Sequence, residues 1–392
     1  MKVKEETSTH VKEYFFVAAQ RQKQELIAQG RQIADLSIGN PDLPPPAEVV
    51  SAFHSNVSLP GVHGYQSNAG NAAFLHSAIS WYQRFFDVKL QGHSQVLPLQ
   101  GSRQGILQLS QLLLSSGDQV LVPDPGYPSY AFGARMMGAS TLPYSLRADE
   151  HFLPDLQKIE QQDLSRVKIM WVNYPHMPTG AGGTCETFES LVAFAHKHKI
   201  LLVNDNAYAL VRNNNPLSIL AVPGADEVAL ELNSLSKNYH LAGWRLGFLA
   251  GNADVIARLA RLKSHLDSGI ALPLQLAAAR ALDLGYQWFA PMSNQYRQRA
   301  QWALQLAQAM GCVPAGGELG MFLWVKMPET GMSAEEFANA LLHKAGVLVA
   351  PGSLFGSQGE GHLRISLCAP QETFILAMEN ILNSPLFNSK LN

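Results

Sequence analysis

Short apolar runs alternate with stretches of helical period through the middle of the chain. The runs Gln119–Val122, Lys168–Val172, Ile200–Val203, Glu227–Leu232 and Leu246–Ala250 are the candidate strands. Runs this short and apolar suit strands buried on both faces of a parallel sheet. Phe74, Ala78, Trp81 and Phe85 share one helical face, and so do Phe188, Leu191, Val192 and Ala195. Both stripes read as core-facing. The pattern predicts an α/β large domain over residues 46–272, with a mostly parallel central sheet covered by helices. Beyond Pro273 the texture changes. A long helical stretch, Gln275 to Ala309, leads to an alternating strand, Met321–Val325, and then to further helix and strand. This predicts a smaller α+β domain over 273–392. The N-terminal segment 1–45, with a helix around Val11–Gln29, is expected to join it.

Composition narrows the function. Of 392 residues, 47% are hydrophobic and 15% charged, enough for a sizeable core and too ordered for a disordered scaffold. A net charge of −2 without a basic stripe recommends neither nucleic acid nor an anionic membrane as a partner. Met1 to Glu6 are charged and polar, unlike a secretory signal, and no apolar run is long enough to span a bilayer. Cys185, Cys312 and Cys368 are odd in number, far apart, and form no Cys-x-x-Cys pair. A disulfide framework and a metal site are therefore not expected, and a cytoplasmic location is.

Five elements carry candidate chemistry. The sharpest is Ser234-Leu235-Ser236-Lys237, followed by Gly243-Trp244-Arg245-Leu246-Gly247. A lysine amine can form an imine with the aldehyde of pyridoxal 5′-phosphate (PLP). Two serine hydroxyls and a guanidinium can hold its phosphate. A bare Ser-x-Ser-Lys is an ordinary surface turn; the glycine- and arginine-bearing sequence downstream makes it a candidate. Asp205 follows the run Ile200–Val203, where open α/β sheets bind ligands, with Tyr208 three residues on. A carboxylate there can keep a pyridine ring protonated, and the tyrosine can donate to the ring's phenolic oxygen; alone, such an aspartate is a helix cap. Gly101-Ser102-Arg103-Gln104-Gly105 opens the apolar helix Ile106–Leu114, and a small-residue turn before a helix can seat a phosphate. In Pro125-Gly126-Tyr127-Pro128 the tyrosine can lie against an aromatic ring or be purely structural. Arg364, in His362-Leu363-Arg364-Ile365-Ser366, can take a carboxylate in its fork or form a surface ion pair.

In this order and at these separations the elements resemble the fold-type-I PLP aminotransferases, the aspartate aminotransferase superfamily. The resemblance runs from Leu36-Ser37-Ile38-Gly39-Asn40-Pro41 to Arg364, nearly the whole chain. Ile38–Pro44 and His63–Ser67 are similar to the branch holding diaminopimelate-type aminotransferases. The resemblance implies that the large domain binds PLP through Lys237, with Asp205 at the pyridinium and Tyr208 at the phenolic oxygen. Ser102, the amides of Arg103 and Gln104, Ser234, Ser236 and Arg245 would hold the phosphate, and Tyr127 would stack on the ring. Arg364 with Gly39 would receive the substrate carboxylate. Tyr65 would reach the phosphate of a neighbouring subunit, which implies a homodimer with shared sites. The activity implied is ping-pong transfer of an amino group between an L-amino acid and a 2-oxo acid through a Lys237 imine.

One departure stands out. Asn173-Tyr174-Pro175-His176-Met177-Pro178-Thr179-Gly180 matches the family's Asn-Pro-Thr-Gly signature except that Met177 replaces the asparagine. Asn173 or His176 is the candidate substitute donor. Two other readings share the frame: a PLP-dependent β-carbon–sulfur lyase, and a non-catalytic PLP-binding regulator. Known regulators carry an N-terminal DNA-binding domain, for which Met1–Gly39 is too short and not basic.

Overall fold

The structure, a computed structural model, describes residues 15 to 388; Met1–Glu6 and the expected helix start at Val11 lie outside them. The central sheet has seven strands: β1 (Val96–Leu99), β2 (Gln119–Asp124), β3 (Ser140–Ser145), β4 (Val167–Val172), β5 (Leu201–Asp205), β6 (Ala229–Ser234) and β7 (Gly247–Gly251). Their spatial order is β1-β7-β6-β5-β4-β2-β3. Neighbours are parallel except around β7, which runs antiparallel to both β1 and β6.

Alternation along the strands divides the core between the two faces of the sheet. In β4, Ile169 and Trp171 join one buried cluster with Leu109 of helix Ser102–Leu113 and Ile256 of helix Ala253–Leu266. Met170 and Val172 join another with Phe188 and Leu191 of helix Cys185–His198. Both faces are apolar because both are covered, which is why these strands read as continuous apolar runs. Phe74, Ala78, Trp81 and Phe85 are buried along helix Ala72–Phe86, as their spacing predicts.

The second lobe is built around strand Phe322–Lys326, which pairs antiparallel with His362–Ser366 and sets Trp324 opposite Arg364. Ala34–Asp35 pairs in parallel with Val347–Leu348, which ties this part of the N-terminal segment to the C-terminal part of the chain. The expected single helix Gln275–Ala309 is two, Leu272–Leu282 and Tyr286–Ala309, broken at Asp283-Leu284-Gly285. The first of them packs against helices Ala47–Val57 and Ala72–Phe86 of the large lobe. Among the described residues no helix is long and apolar enough to cross a membrane.

Candidate active site

The carboxyl ends of β5 and β6, the start of helix Ser102–Leu113 and the second lobe enclose a cavity of about 490 Å³. Asp205 is the last residue of β5 and Ser234 the last of β6. Strand ends supply the site because the sheet fixes them while their side chains clear the last rung of the ladder.

Lys237 stands in the one-turn helix Leu235–Asn238 that follows β6, capped by Ser234, whose Oγ accepts from the Ser236 amide at 3.2 Å. Lys237 lines the cavity, and its Nζ donates to the Gly39 carbonyl. Burial pushes its pKa down to about 8, with Arg364, Arg245 and Arg103 lowering it further and Cys368 opposing.

Asp205 is 5% exposed. Its Oδ2 accepts from the Tyr130 hydroxyl at 2.9 Å, while the buried Oδ1 has no hydrogen-bond partner among the described residues. Burial pushes its pKa up to about 6, against the Tyr130 bond, the Ala207 amide and the charge of Lys237. Such an acceptor is costly until a donor meets it. Tyr208 lines the same wall, and burial raises its phenol pKa.

The cavity also holds a polar cup. Ser102 begins the helix Ser102–Leu113, and Gly101 before it has φ +85°. A Cβ on Gly101 would lie 2.3 Å from Arg245 Nη2, so the guanidinium rests directly on the glycine backbone. Arg245 also donates to Ser236 Oγ at 3.4 Å and to the Ala242 carbonyl at 2.8 Å. Ser102, Ser234, Ser236 and Arg245 all line the cavity at a helix N-terminus, a donor set suited to a phosphate. Tyr127 forms the next wall. Its hydroxyl accepts from Arg103 Nε at 3.0 Å and Nη2 at 2.6 Å, so the Arg103 side chain braces it.

Arg364, 4% exposed, enters from the second lobe. Nη2 donates to the Ser37 carbonyl at 2.7 Å and Nη1 to the Met177 sulfur at 3.3 Å. Its guanidinium carbon lies 4.0 Å from the Phe322 ring centroid and 4.7 Å from that of Phe355. Gly39 is required by Phe322: a Cβ there would sit 2.3 Å from Phe322 Cζ.

The chain matches the family described as aminotransferase class I and II over residues 31–381. It belongs to that family. The aminotransferase is 38% identical over 375 residues to the LL-diaminopimelate aminotransferase of Aquifex aeolicus, covering 95% of this chain and 97% of that protein. It is 38% identical over 370 residues to the protein of the same name from Desulforudis audaxviator, with 94% of each chain covered. Among solved structures, substrate-bound BacF from Bacillus subtilis superposes with a TM-score of 0.93 at 31% identity, covering 98% of this chain and 99% of that one. A probable N-succinyldiaminopimelate aminotransferase from Thermus thermophilus superposes at 0.87 with 34% identity, covering 93% and 98%. The chain is a PLP-dependent aminotransferase of the diaminopimelate-type branch.

The cavity suits that cofactor. A buried carboxylate oxygen without a partner among the described residues can meet a ring N–H, a lysine amine lines the same cavity, and the polar cup can take a phosphate. Of the residues singled out in the sequence, the cavity gathers Gly39, Ser102, Arg103, Tyr127, Asn173, Asp205, Tyr208, Ser234, Ser236, Lys237, Arg245 and Arg364. Three stand elsewhere, Gln104, Tyr65 and His176. The Gln104 amide closes the turn onto the Gly101 carbonyl at 3.2 Å, and its side chain turns to Asp267 at 3.3 Å. Tyr65 is 93% exposed, beside Ser268 and Gly269 on the surface.

Both candidate substitutes for the asparagine have side-chain partners of their own. Both bonds from Asn173 Nδ2 go to backbone carbonyls, of Asp205 and, at 3.3 Å, of Pro175. His176 pairs with Thr179 Oγ1 at 2.7 Å and does not line the cavity; burial pushes its pKa down to about 3. Sequence reasoning missed Tyr130, Phe16, Ile38, Ala207, Ala242 and Phe322. Tyr130 carries a usable signal, since it lies three residues after Tyr127 and so one turn along the helix Pro128–Met136.

Proposed function

We propose that this cavity exchanges an amino group between an L-amino acid and a 2-oxo acid in two half-reactions, with Lys237 as both covalent anchor and proton carrier. The observation that carries the reading is the one cavity lined by both Lys237 and Asp205, whose buried Oδ1 has no partner among the described residues. Bound PLP supplies an aldehyde that bonds amines and a protonated ring that draws electrons from the substrate α-carbon. Asp205 would hold that ring's N–H, and Tyr208 would donate to its phenolic oxygen. Ser102, Ser234, Ser236, Arg245 and the Arg103 amide would hold the phosphate, with Tyr127 flat against the ring. Arg364, with the Gly39 backbone, would bind the substrate carboxylate. With its pKa lowered to about 8, Lys237 Nζ holds a larger neutral fraction near neutral pH than an exposed lysine. It can therefore take a proton from the substrate α-carbon and return it at the second carbon. The aromatic walls around Arg364 exclude water from the carboxylate contact.

The exposed position of Tyr65 supports a homodimer in which it reaches a neighbouring subunit's phosphate. The names of the relatives support LL-diaminopimelate as amino donor. Free Cys185, Cys312 and Cys368 support a cytoplasmic location. The packing of helix Leu272–Leu282 supports a lobe boundary at Asp283–Gly285, beyond the 272/273 boundary that the sequence pattern suggests. The test is a donor screen on the holoenzyme: LL-diaminopimelate, alanine, aspartate and phenylalanine are each added without an acceptor, and 2-oxo acid is measured. Formation from LL-diaminopimelate first among the four is expected. No 2-oxo acid from any donor would overturn the reading.

A further inference from the structure

Asp124 closes β2 and is followed directly by Pro125-Gly126-Tyr127. Its carboxylate turns away from the cavity toward the second lobe. Oδ2 accepts from the Ser357 amide at 3.1 Å and from Ser357 Oγ at 2.7 Å, and Oδ1 accepts from the Gln358 amide at 2.9 Å. The Gly126 amide adds a bond to the Phe355 carbonyl at 2.7 Å. Between these contacts Gly356 has φ +134°, and a Cβ there would lie 2.1 Å from Asp124 Oδ1. Only glycine permits that approach. A single carboxylate thus gathers the donors of one turn of the second lobe, much as a cap gathers the first amides of a helix.

The two joined segments carry different parts of the site. On the large lobe, Tyr127 is the next residue but two after Asp124 and forms a cavity wall. On the second lobe, the Phe355 ring lies under the Arg364 guanidinium at 4.7 Å and meets Trp324 edge-on at 6.1 Å. We propose that Asp124 is a positioning residue: it latches Phe355–Gln358 to the Tyr127 turn and so sets Arg364 at a fixed distance from the cofactor wall. Asp124 touches neither substrate nor cofactor. The inference rests on the reading of Arg364 as the carboxylate receiver.

The test uses holoenzyme of the wild type, Asp124→Ala, Asp124→Asn, Ser357→Ala and Arg364→Lys. The readout is discrimination, the ratio of kcat/KM for the best amino donor to that for the amine lacking only its α-carboxylate. Resting cofactor absorbance and cofactor affinity are measured alongside. Losing hydrogen bonds to a charged acceptor should lower the ratio roughly tenfold or more in Asp124→Ala, mainly through KM. Asp124→Asn keeps an acceptor oxygen and should fall between. Ser357→Ala should show a smaller drop in the same direction, and it decides the matter if Asp124→Ala does not fold. Resting absorbance should match the wild type throughout the Asp124 and Ser357 variants. An unchanged ratio in Asp124→Ala and Ser357→Ala, with only a lower melting temperature, would overturn the latch if Arg364→Lys collapses the ratio. An unchanged ratio in Arg364→Lys would instead overturn the reading of Arg364, and the latch with it.

Discussion

Arg364 Nη1 donates to the sulfur of Met177 at 3.3 Å, at the position where the Asn-Pro-Thr-Gly signature would place an asparagine amide. A thioether accepts weakly and donates nothing. Met177 can therefore help to hold Arg364, but it cannot supply a hydrogen bond to the phenolic oxygen of the cofactor. The amide hydrogens of Asn173 face the carbonyls of Asp205 and Pro175, so Asn173 is not expected to fill that role.

With Tyr208 as the donor on that side, the proton on the Lys237–cofactor bond should be held to higher pH than with an asparagine in place of Met177. A hydrogen bond to a charged acceptor is worth roughly 1.5 to 3 kcal/mol, and 1.36 kcal/mol corresponds to one pH unit. Met177→Asn should lower the midpoint of the cofactor's absorbance titration by about 1 to 2 units. Asn173→Ala, the control, should shift it less. A midpoint that rises in Asn173→Ala and stays fixed in Met177→Asn would identify Asn173 as the donor.

Arg364→Lys keeps the charge and loses the fork that binds a carboxylate with two parallel bonds. Breaking a desolvated charged contact costs about 2 to 5 kcal/mol, or roughly 30- to several-thousand-fold in kcat/KM for the best amino donor. Cofactor affinity should change far less. Steady-state kinetics beside a cofactor titration separate the two effects, and an unchanged kcat/KM would remove Arg364 from substrate binding.

The sequence made the sheet's interior legible and left its edges obscure. The five predicted strands all lie within two residues of observed ones at both ends, because strands covered on both faces are apolar throughout. The two missed strands, β1 and β3, are the two edges, and each contains a proline, Pro98 and Pro143. Proline cannot donate to a ladder, so it suits an edge and masks the strand signal. The reversal of β7 was equally hidden, since period and apolarity carry no direction. In the site, Lys237, Asp205 and Arg245 were readable because each stands in a fixed local context of strand end, turn or glycine. Phe16 and Phe322 were not, because they reach Arg364 from distant elements and are ordinary apolar residues locally. The Asp124–Ser357 contact spans 233 residues and has no local signature at all.

The raised pKa of Asp205 gives a pH test on the cofactor-free protein. Its folded value is about 6 against an ordinary 3.8, so between these pH values the folded state binds a proton that the unfolded state has lost. Stability conferred by this group is therefore present at low pH and falls as pH rises through that window. Asp205→Asn should raise the melting temperature of cofactor-free protein at pH 7 and leave it near the wild-type value below pH 4. Cofactor binding should move the other way, because pairing with a ring cation favours the carboxylate; affinity in the wild type should weaken below about pH 6. Cofactor-free Asp205→Asn less stable than wild type at pH 7 would contradict the assigned burial cost.

The most direct test is a donor-only incubation of the holoenzyme, with 2-oxo acid and ammonia counted per subunit. The account predicts about one equivalent of 2-oxo acid, no ammonia, and renewed turnover only when a second 2-oxo acid is added, as two separate half-reactions require. Lys237→Ala should yield almost none, since among the described residues no second lysine lines the cavity. Continuous release of ammonia with 2-oxo acid from the donor alone, or undiminished turnover in Lys237→Ala, would contradict it.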